Sequence, residues 1–325
     1  MVEELQKVFS NKKSKKLERG IAFPTCISVN NIMGHYSPMQ DESTQLQEGD
    51  VAKIDLGCHL DGFVAQAAHT IVVSASADSK ISGRKADAIL SAYNAMRAAQ
   101  RLFKEMGTNT KVTEAIAKVT ASYETNPVEG VLSHKMKKHL IDGNDVIINK
   151  ETPEQKVEEI EFAPGDVFGL DIYVSTGEGR PKEGDYRTTV YKRELDTQYN
   201  LKSKSARAFF TEVNKKYPTL PFAIRAFEDS TAAKIGVKEA SAHNLLTAYP
   251  VFIEKPGEIV AHFKCTIAIL PRSTVVLAGD LPLNLERFET DKKVEDPELV
   301  ELLAGDLWKK DDKKKAAKKE EEQKQ

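Results

Sequence analysis

Apolar residues change their spacing several times along the chain, and each change marks an element. They crowd Val51-Ala-Lys-Ile-Asp-Leu-Gly, break at Asp61-Gly62 and return in an Ala-, Val- and Ile-rich run from Phe63 to Val73. Two extended runs joined by Asp-Gly predict a β-hairpin. Over 84–106 the period lengthens: Ile89, Tyr93, Met96 and Leu102-Phe103 recur at helical spacing, and the run stops at Gly107. Val112, Ile116 and Val119 repeat the pattern over 110–123, so two helices are predicted. Further helices are expected at 203–217 and 237–248. Residues 166–175 and 186–192 have strand character and flank the Gly-rich stretch Thr176-Gly-Glu-Gly-Arg-Pro-Lys-Glu-Gly. The run 259–270 alternates only loosely, is dense in β-branched and aliphatic residues and reads as a mostly buried strand, with 274–277 as its partner. Hairpins with interleaved helices predict an α+β domain.

A chain of 325 residues with 40% hydrophobic content can bury a proper core. No run approaches the roughly 20 apolar residues that span a bilayer, and Met1-Val-Glu-Glu-Leu lacks a secretory pattern, so the cytosol or nucleus is expected. Cys26, Cys58 and Cys265 are widely separated and form no Cys-x-x-Cys pair, which predicts reduced, mostly buried thiols rather than disulfides or a zinc site. Lysine and arginine (47) nearly balance aspartate and glutamate (49), so any basic surface must be local. Three clusters qualify: Lys12, Lys13, Lys15 and Lys16 with Arg19; Lys135, Lys137 and Lys138 with His134 and His139; and Lys313, Lys314, Lys315, Lys318 and Lys319. Each fits an ordinary solvated face. The last also fits phosphate neutralisation by counterion release or a nuclear localisation signal. After Trp308 no aliphatic residue larger than Ala follows, and a disordered segment is expected from Lys309.

Asp55, flanked by apolar residues on a predicted strand, calls for a buried partner: a metal, a base or hydrogen-bond donors. A turn at Asp61-Gly62 puts Ala68 opposite Asp55 and Gln66 diagonal to it, where a second carboxylate would be useful and a neutral amide stands. Cys58 and His59 are strand neighbours and point to opposite faces, which argues against a catalytic thiol. Gly177-Glu-Gly lacks the Gly-x-Gly-x-x-Gly fingerprint, so no nucleotide cofactor is expected.

Gly20-Ile-Ala-Phe-Pro-Thr-Cys-Ile-Ser-Val-Asn-Asn with His35, followed by Lys53-Ile-Asp-Leu-Gly, resembles the type 2 methionine aminopeptidases of the creatinase, or pita-bread, fold. Gly-Arg-Lys-Ala-Asp (83–87), Val128-Glu-Gly-Val-Leu-Ser-His, Val174-Ser-Thr-Gly-Glu-Gly, Arg187-Thr-Thr-Val-Tyr-Lys-Arg and Arg225-Ala-Phe-Glu-Asp resemble more closely the proliferation-associated, ErbB-receptor-binding proteins, a non-peptidase branch of that fold. The likeness runs from Gly20 past Gly279. It implies a pita-bread domain over 20–290 with a type 2 helical insert near 201–255. Around that domain it implies a basic lead-in at 1–19, a linker with a short helix at 291–308 and a charged tail at 309–325. Proteins of this family carry further helical residues before the lead-in, so a shortened start, with part of a core-facing helix missing, is expected.

In the peptidase pattern two aspartates, a histidine and two glutamates hold two metal ions that generate a hydroxide nucleophile. Carried over residue by residue, these five positions are Asp55, Gln66, Val131, Asp171 and Lys264. The resemblance with these departures implies a pseudoenzyme with no catalytic residue, no metal and no cofactor. The Lys264 ammonium is expected to bridge Asp55 and Asp171 in place of the metals. His35 and His139 correspond to the two substrate-contacting histidines, so part of a substrate pocket is expected to persist. Each also fits an ordinary surface or core histidine. The implied partners are RNA, ribosomes and regulatory proteins of growth signalling or transcription, without a membrane. A monomer in the cytoplasm and the nucleus or nucleolus is expected. Two rivals stay open: a metal-dependent methionine aminopeptidase or proline dipeptidase built on Asp55, Gln66 and Asp171, and a peptide-binding adaptor without RNA.

Overall fold

The hairpin at Asp61-Gly62 is the start of the main sheet. In the computed structural model, a sheet of nine strands contains β1 (Arg19–Val29), β2 (Val51–Leu60), β3 (Phe63–Val72), β4 (Leu132–Lys135), β5 (Val146–Ile148), β6 (Val167–Ser175), β7 (Val260–Leu270), β8 (Ser273–Ala278) and the short strand Asn126–Pro127. Across the sheet the order is β1-β2-β3-β7-β6-β4-β5, with β8 paired to β7 and Asn126–Pro127 to β6. The structure describes Glu4, Lys7 and residues 17–310 apart from Ser43 and Ala77. The lead-in lysines Lys12, Lys13, Lys15 and Lys16 and the tail lysines Lys313, Lys314, Lys315, Lys318 and Lys319 lie outside the described residues.

The two faces of the sheet have different fates, and the period of two along each strand decides which residue serves which. On one face Phe168, Leu170, Ile172 and Val174 of β6, and Phe263, Cys265, Ile267 and Ile269 of β7, pack against helices α1 (Gly83–Leu102) and α2 (Asn109–Ser122). Alanines along α1, among them Ala88, Ala92, Ala95 and Ala99, are fully buried and let the helix sit close to the sheet. The alternate residues, Asp171 and Tyr173 of β6 and His262 and Lys264 of β7, belong to the other face. Since β7 is covered on both faces, every residue from Val260 to Ile269 is buried.

Residues from Val190 to Tyr249, joined by Met39, build a second cluster. Helices α3 (Lys204–Lys216) and α4 (Ser230–Ala242) pack together over a three-stranded sheet of Phe222–Ala223, Val190–Arg193 and Leu246–Tyr249. Ser203 and Asp229 cap the two helices by accepting from the Ala206 and Ala232 amides. The cluster is centred on Phe209, Phe222, Phe227 and Val237. Helix α5 (Pro297–Ala304) buries Leu299 in the main core.

Several expected elements differ. The helix expected at 237–248 is α4, which starts at Ser230 because Asp229 caps it; residues 246–249 instead pair as a strand with Val190–Arg193. The strand expected at 186–192 begins only at Val190, where Ala223 and Tyr249 lie opposite it. α1 ends at Leu102, not 106, because Phe103 turns into the core against Phe162 and Phe168, with ring centroids 4.7 and 5.2 Å away. Lys309 and Lys310, assigned to the tail, are held by Ser273 and Arg272: Lys309 bridges Ser273, and the Lys310 amide donates to the Arg272 carbonyl.

Candidate functional site

One row of residues crosses five strands: Cys26, Asp55, Ala68, Lys264 and Asp171 are successive cross-strand partners on β1, β2, β3, β7 and β6. Directly paired residues share a face. Ala68, between Asp55 and Lys264, is too small to block the lysine stem, so the ammonium reaches across β3. Lys264 Nζ donates to Asp55 Oδ2 at 3.0 Å and lies 2.8 Å from Asp171 Oδ2. Lys264 and Asp55 are buried, at 8% and 6% exposure, and Asp171 is partly buried at 16%.

His262, one step along the same face of β7, extends the network: its Nε2 lies 2.6 Å from Asp171 Oδ1, and its ring stacks on Tyr173 at 3.7 Å. Burial pushes the Asp171 carboxyl up, but the Lys264 ammonium and His262 outweigh it and hold it well below the usual carboxylate range. Burial likewise pulls the Lys264 ammonium down, and Asp171 and Asp55 more than reverse it, so the lysine stays charged. The Tyr173 hydroxyl, buried beside these carboxylates, is pushed well above its ordinary value.

Above the row lies a cavity of about 280 Å³ bounded by Phe23, His35, Gln66, Val131, Tyr249 and Lys264. Phe23, His35 and Tyr249 form its aromatic wall, with ring centroids 5.3–6.0 Å apart. Burial lowers the His35 imidazole below its usual value, so it is neutral at pH 7 with Nδ1–H donated to the Pro250 carbonyl at 3.0 Å. Gln66 is 7% exposed, lines the cavity, and makes no side-chain hydrogen bond among the described residues. Val131 packs in an apolar group with Met33, Val128 and Tyr173.

The structure therefore brings Asp55, Gln66, Val131, Asp171, Lys264 and His35 to one place. His139 is a correction. It does not line the cavity but sits over the β2–β3 turn, its amide donating to the Gly62 carbonyl at 2.8 Å and its ring filling the space a Gly62 side chain would need. β4 ends at Lys135, and the chain has turned away by His139, whose φ is +61°. The histidine of this segment that lines the cavity is His134. By charge His134 groups with the lysines, and His262 belongs to no motif in the sequence. The spacing of His262 two residues before Lys264 was the available signal, since such residues share a face. The Lys135, Lys137 and Lys138 cluster is already partly neutralised within the fold. Lys135 is ion-paired to Asp145 and Asp166 at 2.9 and 2.8 Å and Lys138 to Asp61 at 2.9 Å. Only Lys137 makes no ion pair among the described residues.

The donor set does not fit a two-metal centre. An ammonium stands between the two carboxylates, where a cation would sit, and Val131 has no donor atom. Among the described residues no group of three His, Cys, Asp or Glu side chains could hold a metal ion. No described helix is long and apolar enough to cross a membrane.

Comparison with known proteins matches residues 2–189 to metallopeptidase family M24. The chain is 43% identical to ErbB-3 binding protein 1 of Arabidopsis thaliana over 309 residues, covering 95% of this chain and 76% of that one. It is also 43% identical to proliferation-associated protein A of Dictyostelium discoideum over 305 residues, 94% of this chain and 78% of that protein. Among solved structures, a thermophilic Arx1 superposes with a TM-score of 0.86 at 30% identity, over 94% of this chain and 88% of that one. The chain thus belongs to the M24 metallopeptidase family, with its pita-bread fold, in the group of ErbB-3-binding and proliferation-associated proteins.

Proposed function

We propose that this chain works by binding rather than by hydrolysis: an aminopeptidase-like scaffold whose main partners are RNA and ribosomal particles, with regulatory proteins of growth signalling or transcription as further partners. The observation that carries the first half is the Lys264 ammonium seated 3.0 and 2.8 Å from the Asp55 and Asp171 carboxylates. Metal-assisted hydrolysis needs a divalent cation at that place to polarise a carbonyl and lower the pKa of water. A lysine held charged excludes a second cation by repulsion, and Val131 removes the nitrogen donor. RNA follows from the family resemblance and from the tail, where Lys313, Lys314, Lys315, Lys318 and Lys319 offer five charges that can displace counterions. The relative in Arabidopsis thaliana is named for binding a protein, ErbB-3, in accord with a scaffold. A monomer shared between cytoplasm and nucleus, including the nucleolus, completes the reading.

Two measurements test it. Full-length protein equilibrated with manganese or cobalt is expected to retain no stoichiometric metal and to release no methionine from a Met-peptide. One or two bound equivalents with turnover would restore the hydrolase reading. Co-sedimentation with ribosomal subunits is expected to fall steeply with salt and to weaken when residues 311–325 are removed; binding indifferent to both would sink the RNA half. A second reading, capture of a peptide without cleavage, is favoured by the 280 Å³ cavity and its Gln66 amide, which makes no side-chain hydrogen bond among the described residues. Peptide binding that survives the removal of all RNA partners would select it.

A further inference from the structure

An acidic ridge runs beside the point where the described chain ends. Glu151, Glu154, Glu158, Glu159 and Glu161 are all exposed, and none forms an ion pair among the described residues; Lys156 is the one cation within that stretch. The ridge borders a groove of about 520 Å³ whose sides are Thr113, Ala117 and Ala121 of α2 and Pro127, Ile148 and Val157 opposite. Asn149, 2% exposed and part of the lining, leaves its Oδ1 without a hydrogen-bond partner. An apolar floor with an acidic rim fits a basic segment whose lysine stems lie on the floor while their ammonium groups reach the carboxylates.

The chain itself supplies such a segment at this point. Lys310 Nζ is ion-paired to Glu105 at 3.0 Å. Glu105 adjoins Met106, whose amide donates to the Phe162 carbonyl, and Thr108 bridges Glu161. The tail therefore leaves the fold next to the last glutamate of the ridge. Fifteen residues follow Lys310, enough for about 50 Å of extended chain. The groove follows α2, about 21 Å long. Lys313, Lys314, Lys315, Lys318 and Lys319, around Ala316 and Ala317, come within reach of it.

We infer that residues 313–319 dock on this ridge and groove, and that the docked tail is withheld from nucleic acid. Tethering gives the contact a high local concentration without tight intrinsic affinity. Its competition with RNA rests on the proposed function above; the docking does not.

Zero-length carbodiimide cross-linking of the full-length protein, mapped by mass spectrometry, tests the docking. At about 50 mM salt, links from Lys313–Lys319 are expected to concentrate on Glu151–Glu161, and they should vanish near about 1 M salt, where screening is short-ranged. In the E151Q/E154Q/E158Q/E161Q variant, which spares Glu159 because it accepts from the Thr110 hydroxyl, the remaining Lys313–Lys319 link to Glu159 should fall sharply as the ridge loses charge. Links spread evenly over other acidic residues, a Glu159 link undiminished in the variant, or links between isotopically light and heavy chains would each overturn the docking. A second readout is the affinity for a structured RNA hairpin. A tail docked about nine-tenths of the time lowers that affinity about tenfold, so the variant is expected to bind about tenfold tighter. Equal affinities overturn the withholding. Cross-links as expected with no RNA binding by either protein would leave the docking standing and remove the RNA reading.

Discussion

Replacing Lys264 with methionine isolates the group on which the site depends. At an effective dielectric of about 20, contacts at 3.0 and 2.8 Å are each worth about 5–6 kcal/mol of attraction. Desolvating three charges, at several kcal/mol each, cancels most of that sum. The cost of the substitution is thus not the lost attraction but the stranding of two buried carboxylates without a cation, about 3–5 kcal/mol. For a chain of this size that is a fall in Tm of about 5–8 °C at pH 7.5. The pH dependence gives a sharper criterion. In the native protein Asp171 is held below its ordinary range, so its contribution is present above about pH 4 and lost only as pH falls through its lowered value. Lys264 is raised, so its contribution is lost only as pH climbs past about 10.5. Between about pH 5 and 9 the triad therefore adds no slope. In Lys264→Met one of the two facing carboxyls is expected to rise and take up a proton, so the deficit should shrink as pH is lowered from 8 to 5. Differential scanning fluorimetry of both proteins across that range is the assay. An unchanged Tm at pH 7.5, or a deficit constant with pH, would mean that the ammonium does not neutralise the site.

Other positions give independent outcomes. Lys53 is 1% exposed, has the Asn30 carbonyl at 2.8 Å as its only partner among the described residues, and is pushed down to about 7 by burial. Its folded pKa is lowered, so the folded state loses stability as pH falls from about 10.5 to 7, by about 4 kcal/mol in all. Lys53→Met, which forgoes that hydrogen bond, should raise stability at pH 7 by about 2 kcal/mol, with the gain fading toward pH 10 in thermal scans. Gly62 has φ +81°, and a Cβ there would fall 2.4 Å from the His139 ring, so Gly62→Ala should cost about 2–3 kcal/mol by chemical denaturation. Gly236 lies inside α4, where alanine would ordinarily add about 1 kcal/mol of helix propensity. Its Cβ would stand 2.5 Å from the Phe209 ring, so Gly236→Ala is expected to lower Tm instead, and a smaller side chain at 209 should restore it.

Local signals sufficed where the physics is local. The Asp-Gly turn and the period of two placed Ala68 opposite Asp55, and the family motifs matched a group to which the comparisons also lead. Apolar spacing marked α1 and α2; α2 and α3 present one face to a core and the other to water, whereas α1 is covered nearly all round, with no exposed residue from Lys85 to Leu102. β7 was recognisable as a strand, but its buried run carries no alternation. Which residues face the helices and which face the cavity is therefore set by its register against β6, and His262 stayed hidden until Tyr173 and Asp171 were placed opposite the strand. The same applies to α4, whose start depends on a cap and on Phe209 lying across Gly236, and to His139, which a few residues of turn after β4 carry over Gly62 and away from the pocket. Lys264 and Asp55 are 209 residues apart, and only sheet pairing brings them to 3.0 Å. Sequence determined which charges the chain owns; the tertiary fold decided which of them neutralise one another, because burial makes that choice energetically decisive and local spacing does not encode it.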